Sequence, residues 1–274
     1  MNIKKNKTGK NPGGRKIFLI IWLISLFAVF GAMLTILYIN RDAVYNFLFQ
    51  ADIPEEPISG GIVQPSDNPP DPYEYFSDII FIGDSIMTGF DIYRDFIEFQ
   101  DETVLKNAVV AATPGYGVNN AVSEIANNEV NLYYGGKAMR PEDIIAERDE
   151  KYVFICLGIN DLVIMKLDKY IEIYRQFISN IQIKNPDKII VILSITPLVA
   201  GRSSGYINNE AVISANNILL EFAQEYNIPF VDWAESVCDT DNSLRIDLSS
   251  DGFCHLKIEA YDLLVEYLLY HPVK

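Results

Sequence analysis

The chain has 274 residues, 49% of them apolar and 22% charged, with a formal net charge of −15. The first 40 residues hold six positive charges and no acidic ones, so the remainder carries −21. An acidic body of that kind repels a phosphate backbone and argues against nucleic acid as a partner. Two histidines (His255, His271) and three scattered cysteines (Cys156, Cys238, Cys254) are too few for a histidine-rich metal site, a zinc motif or a disulfide framework. A Cys238–Cys254 pair stays open if the domain is extracellular.

Residues 1–16 form a polar, basic tail, and 17–39 (IFLIIWLISLFAVFGAMLTILYI) follow with no charge in 23 residues. At about 1.5 Å per helical residue such a run spans a bilayer core of roughly 30 Å. A cleaved signal peptide would have an apolar core of about 7–15 residues ending in a small-x-small site, which this run lacks. The basic flank precedes the run, so the N-terminus is expected in the cytoplasm and the rest outside, held by an uncleaved signal anchor. Residues 40–76 read as an extracellular spacer, with six prolines between 51 and 73.

From 77 to 274 the pattern alternates. A buried strand is predicted at 78–82 and a helix at 86–99, then a strand at 104–112 and a helix at 118–127. Residues 131–137 read as a loop, and Pro141 opens a short helix. A strand at 152–157, a helix at 168–183 closed by Asn185-Pro186, and a β-branched strand at 188–195 come next. A helix at 208–226, a strand at 229–231 and a helix at 256–270 complete the chain. This order predicts an α/β fold, a three-layer α/β/α sandwich around a parallel sheet of about five strands.

The first strand breaks into Gly83-Asp84-Ser85, which places Ser85 at a strand-to-helix junction on the carboxyl edge of the sheet. Open α/β folds keep their chemistry at that edge, and the helix N-terminus suits a nucleophile whose reaction develops negative charge. Gly-Asp-Ser is also ordinary capping and turn chemistry, so the reading depends on whether a base, an orienting acid and oxyanion donors exist elsewhere. His255 is the better base, since His271 is the fourth residue from the end. Asp251 precedes His255 by four positions and can orient it, although Asp251-Gly252 also makes a good turn. Asn160, in Gly158-Ile159-Asn160-Asp161 after the third strand, offers a side-chain amide to an oxyanion. Thr113-Pro114-Gly115-Tyr116-Gly117 offers a glycine N–H after the second.

Together GDS at 83–85, a glycine after the second strand, GIND at 158–161 and a final Asp-to-His turn resemble the SGNH (GDSL-type) esterases and lipases, over about residues 78–270. The resemblance implies a flavodoxin-like sheet and a Ser-His-Asp triad with no cofactor or metal. On this sequence it implies Ser85 as nucleophile, His255 as base and Asp251 as its orienter. The oxyanion hole would be made by Ser85 N–H, Gly115 N–H and the Asn160 amide. Two departures stand out. The family spaces its last pair Asp-x-x-His, one residue shorter than here, which leaves Asp247 as an alternative orienter. Gly117 also competes with Gly115. The implied activity is hydrolysis of O-acyl esters, short-chain groups such as acetyl on a cell-wall glycan among them. A glycan O-acyltransferase and a non-catalytic anchored binding module are the alternatives on the same fold.

Overall fold

A computed structural model describes residues 60–99 and 104–273. The predicted basic tail (1–16), membrane anchor (17–39) and first part of the spacer (40–59) lie outside the described residues. Six strands form one sheet: β1 (Gly61–Ile62), β2 (Ile79–Gly83), β3 (Val109–Ala112), β6 (Tyr152–Cys156), β7 (Ile189–Leu193) and β8 (Pro229–Val231). Every pairing is parallel, in the order β1-β8-β7-β6-β2-β3. The last five follow the flavodoxin-like order, and β1 adds an edge strand beside β8.

That sixth strand extends the expected sheet of about five, and it comes from residues whose composition reads as spacer. Gly61 N–H donates to Ile228 O and Val63 N–H to Phe230 O. The first helix among the described residues, α1 (Pro72–Ser77), lies in the same stretch, with Asp71 accepting from Glu74 N–H and Pro72 in the first turn. The folded domain therefore begins by Gly61 rather than at 77. A two-residue strand between prolines has no period for the sequence to display.

Alternation along the strands sends side chains to two cores. Ile80, Ile82, Val153, Ile155, Ile190 and Ile192 face one side, while Ile79, Phe81, Phe154, Cys156, Val191 and Leu193 face the other. The first face is covered by α3 (Val118–Val122), α6 (Leu167–Lys184) and α7 (Asn209–Glu225). The second is covered by α1, α2 (Ser85–Phe99) and α8 (Ile258–Tyr270). Each long helix turns an i, i+3/i+4 stripe inward, for instance Ile86, Phe90, Tyr93 and Ile97 of α2.

Three local expectations change. The 104–112 run forms a strand only from Val109, after a turn in which Ala108 N–H bonds Leu105 O. The 118–127 helix is broken, α3 ending at Val122 before a 3-10 turn at Ile125–Asn127. The 131–137 stretch, expected as a loop, forms a hairpin of β4 (Leu132–Tyr134) and β5 (Lys137–Met139). Gly135 and Gly136 both take positive φ, 56° and 77°, which a tight two-residue hairpin turn requires. All three cysteines are free, so the open Cys238–Cys254 pair does not form here. Among the described residues no helix is long and apolar enough to cross a membrane.

Candidate active site

Register builds the site. Gly83, the last residue of β2, pairs with Ala112 on one side and Cys156 on the other. The three strands thus end level, and the segments carrying Ser85, Gly115 and Asn160 leave from one edge of the sheet. This is the point where strand order reverses between β2 and β6, the usual crevice of an open α/β sheet. A Cβ at Gly83 would come 2.2 Å from Met87 Cγ, so only glycine permits this turn from strand into helix.

Ser85 opens α2, where its N–H has no intrahelical acceptor. His255 reaches it from the loop before α8, which is fixed to α2 by Tyr261 Oη donating to Ile86 O at 2.9 Å. His255 Nε2 lies 3.1 Å from Ser85 Oγ, and its Nδ1 lies 2.6 Å from Asp251 Oδ2. Ser85 is half-buried, while the side chains of His255 and Asp251 are 49% and 34% exposed, so this hydrogen-bonded cluster opens to solvent.

The extra residue between Asp251 and His255 is absorbed by a tight turn. Asp251 Oδ1 accepts from the N–H groups of Phe253 (2.7 Å), Cys254 (3.0 Å) and His255 (3.2 Å), and Gly252 takes a φ of 68°. Winding the chain around one carboxylate oxygen leaves the other free to face the imidazole four residues on. Partial burial works to raise the Asp251 carboxyl, but hydrogen bonds from the His255 ring and from Phe253 and His255 N–H outweigh it and hold the pKa down to about 2. Asp247 instead forms an exposed ion pair with Arg245 at 2.7 Å.

The Asn160 amide nitrogen donates to Tyr116 O (3.0 Å) and to Asp84 Oδ2 (3.3 Å). Of the two glycines, Gly117 N–H is occupied by Asn120 Oδ1 at 3.0 Å, whereas no acceptor among the described residues meets Gly115 N–H. Gly117 serves another purpose: a Cβ there would sit 2.6 Å from the Asp161 carboxylate. Asp161 caps α3 through Val118 N–H (3.0 Å) and Asn119 N–H (3.1 Å).

Asp84 and Asp161 are both buried beneath this surface. Burial pushes Asp84 up to about 7 against a hydrogen bond from Ile86 N–H, and the nearby Asp161 charge pushes the same way. Burial likewise lifts Asp161 to about 6, with the N–H groups of Val118 and Asn119 opposing it. Tyr261 was not legible as a feature of this region, because its place depends on how α8 packs on α2. Asp251, Cys254 and His255 are close enough together to hold a cation. The Asp251–His255 hydrogen bond already uses both of those side chains.

The GDSL-like Lipase/Acylhydrolase family matches residues 81–263. None of the curated proteins matches the chain. Among solved structures, a protein from Streptococcus pneumonia provisionally described as a platelet activating factor superposes with a TM-score of 0.53. It is 20% identical, over 72% of this chain and 87% of that one. A provisionally assigned acylhydrolase from Bacteroides fragilis gives 0.52 at 17% identity over 69% and 83%. A GDSL-like lipase from Bacteroides thetaiotaomicron gives 0.50 at 17% over 69% and 84%. At such identities these likenesses speak to the fold. The family match covers most of the folded domain, and with it the chain belongs to the GDSL-like lipase/acylhydrolase family and is a carboxylic ester hydrolase.

Proposed function

We propose that this protein is a membrane-anchored, extracellular serine esterase that works through an acyl-enzyme on Ser85. The observation that carries the reading is the continuous Asp251–His255–Ser85 hydrogen-bond chain, 2.6 Å and 3.1 Å, ending at the N-terminus of α2. Ser85 Oγ attacks the ester carbonyl carbon as its proton passes to His255 Nε2. Asp251 holds the Nδ1–H tautomer and stabilises the imidazolium that forms. The oxyanion takes hydrogen bonds from Ser85 N–H, Gly115 N–H and the Asn160 amide. As the tetrahedral adduct collapses, His255 returns its proton to the departing alcohol. Water then attacks the acyl-serine with His255 again as base, releasing the carboxylic acid and restoring Ser85.

The uncharged run at 17–39, with six positive charges ahead of it, supports an anchored domain on the outer side. An ester-bearing partner at the cell surface follows, an acylated cell-wall glycan being the natural one. The exposed imidazole suits a bulky polymeric alcohol with a short acyl group, such as acetyl. Turnover of an aryl ester series by the full chain in detergent tests this. Acetate is expected to be preferred over octanoate by at least about tenfold in kcat/KM, with Ser85→Ala inactive on both. A preference for the long chain would overturn the short-acyl assignment. Recovery of the protein in the soluble fraction, away from membranes, would overturn the anchor.

A further inference from the structure

Behind the nucleophile lies a small, partly open pocket, about 10 Å³ accessible to the centre of a water molecule, between the ends of β2, β6 and β7. That is the space of one water. Its walls are mostly apolar (Ile86, Leu157, Ile159, Ile195), but Asp84 and Thr196 also line it. Thr196 is 1% exposed and its Oγ1 has no hydrogen-bond partner. A buried hydroxyl left unpaired is costly, and so is a buried carboxyl with unfilled acceptor sites. Asp84 accepts one bond on each oxygen, from Ile86 N–H at 2.9 Å and from Asn160 Nδ2 at 3.3 Å.

We infer that a single water in this pocket bridges Thr196 and Asp84, and that Asp84, so fixed, is a positioning residue that aims the Asn160 amide into the oxyanion hole. The amide nitrogen has only two hydrogens. One is held firmly by Tyr116 O at 3.0 Å, and the longer contact to Asp84 leaves the other to be shared with an incoming oxyanion. Where that second hydrogen points depends on where the Asp84 carboxyl stands. Water is the partner that fits this carboxyl, because it donates to the ionised form and accepts from the neutral one. Burial and the Asp161 charge keep both forms within reach at neutral pH.

This inference rests on the Ser85 esterase reading, and kinetics on the full chain separate the two. Thr196→Val is expected to lower kcat about tenfold with KM unchanged, and Thr196→Ser, which keeps the hydroxyl, to restore it. In an Asn160→Ala background the same Thr196→Val change is expected to have no further effect, because the group it positions is gone. A Thr196→Val loss that persists undiminished beside Asn160→Ala, or no loss at all, overturns the inference while leaving the esterase intact. Should Thr196→Val fold poorly, Asp84→Asn measured with and without Asn160→Ala makes the same cycle, and additivity there overturns the inference equally. A wild-type chain inert toward every ester would remove the esterase reading itself.

Discussion

At the residue scale the site turns on which carboxylate faces His255. Sequence left Asp251 and Asp247 open because the Asp-to-His spacing was one residue too long. The structure places Asp251 against the ring by wrapping three N–H groups around its other oxygen. Asp251→Asn is therefore expected to lower kcat by about 10²–10⁴, since the amide would favour the wrong imidazole tautomer. Asp247→Asn should stay within about twofold of wild type in the same assay. Linkage gives a second readout. The folded pKa of Asp251, about 2, lies below the ordinary 3.8, so its stabilising contribution is complete above that ordinary value and is lost as pH falls through about 2. Comparing acid unfolding of wild type and Asp251→Asn should show the difference shrinking across that window; a constant difference would contradict the assignment. Gly115 against Gly117 was likewise unreadable from spacing, because the distinction lies in which N–H a neighbouring asparagine consumes.

At the element scale the Asp251–His255–Ser85 hydrogen-bond chain depends on α8 docking on α2, a contact between helices separated by most of the chain. Gly89 is where they touch most closely. A Cβ there would lie 2.0 Å from Tyr261 Oη, whose hydrogen bond to Ile86 O holds it in place. Gly89→Ala gains up to about 1 kcal/mol of helix propensity. The clash should outweigh that and leave a net loss of about 1–3 kcal/mol in denaturant unfolding. Tyr261→Phe added to Gly89→Ala should recover part of the loss, by relieving the nearest contact; an additive loss would point to a different cause. The strands and long helices were legible because their stripes of isoleucine, phenylalanine and tyrosine keep a clean period. The hairpin at 132–139 and edge strand β1 were not, being two or three residues long and named only by glycines. The placement of the candidate site was legible for a related reason: Gly-Asp-Ser and Gly-Ile-Asn-Asp stand at strand ends, and parallel register brings those ends level.

At the scale of the whole molecule, β1 ties residues that look like spacer into the sheet. A chain starting at Asn68 would lose the Gly61 and Val63 bonds to the β8 segment and expose that edge. It is expected to melt roughly 5–10 °C below a chain starting at Gly60, on the scale of a few kcal/mol in a domain of this size. Equal melting temperatures would return 60–66 to the spacer. Either fragment keeps the acidic composition of the body.

The most direct measurement is intact-mass analysis of the full chain after a fluorophosphonate probe, beside Ser85→Ala and His255→Ala. One equivalent of probe on Ser85 is expected in wild type, none in Ser85→Ala, and labelling slowed by at least about a hundredfold in His255→Ala. A folded wild-type chain that takes up no probe, or takes it up at another residue, would contradict Ser85 as the nucleophile.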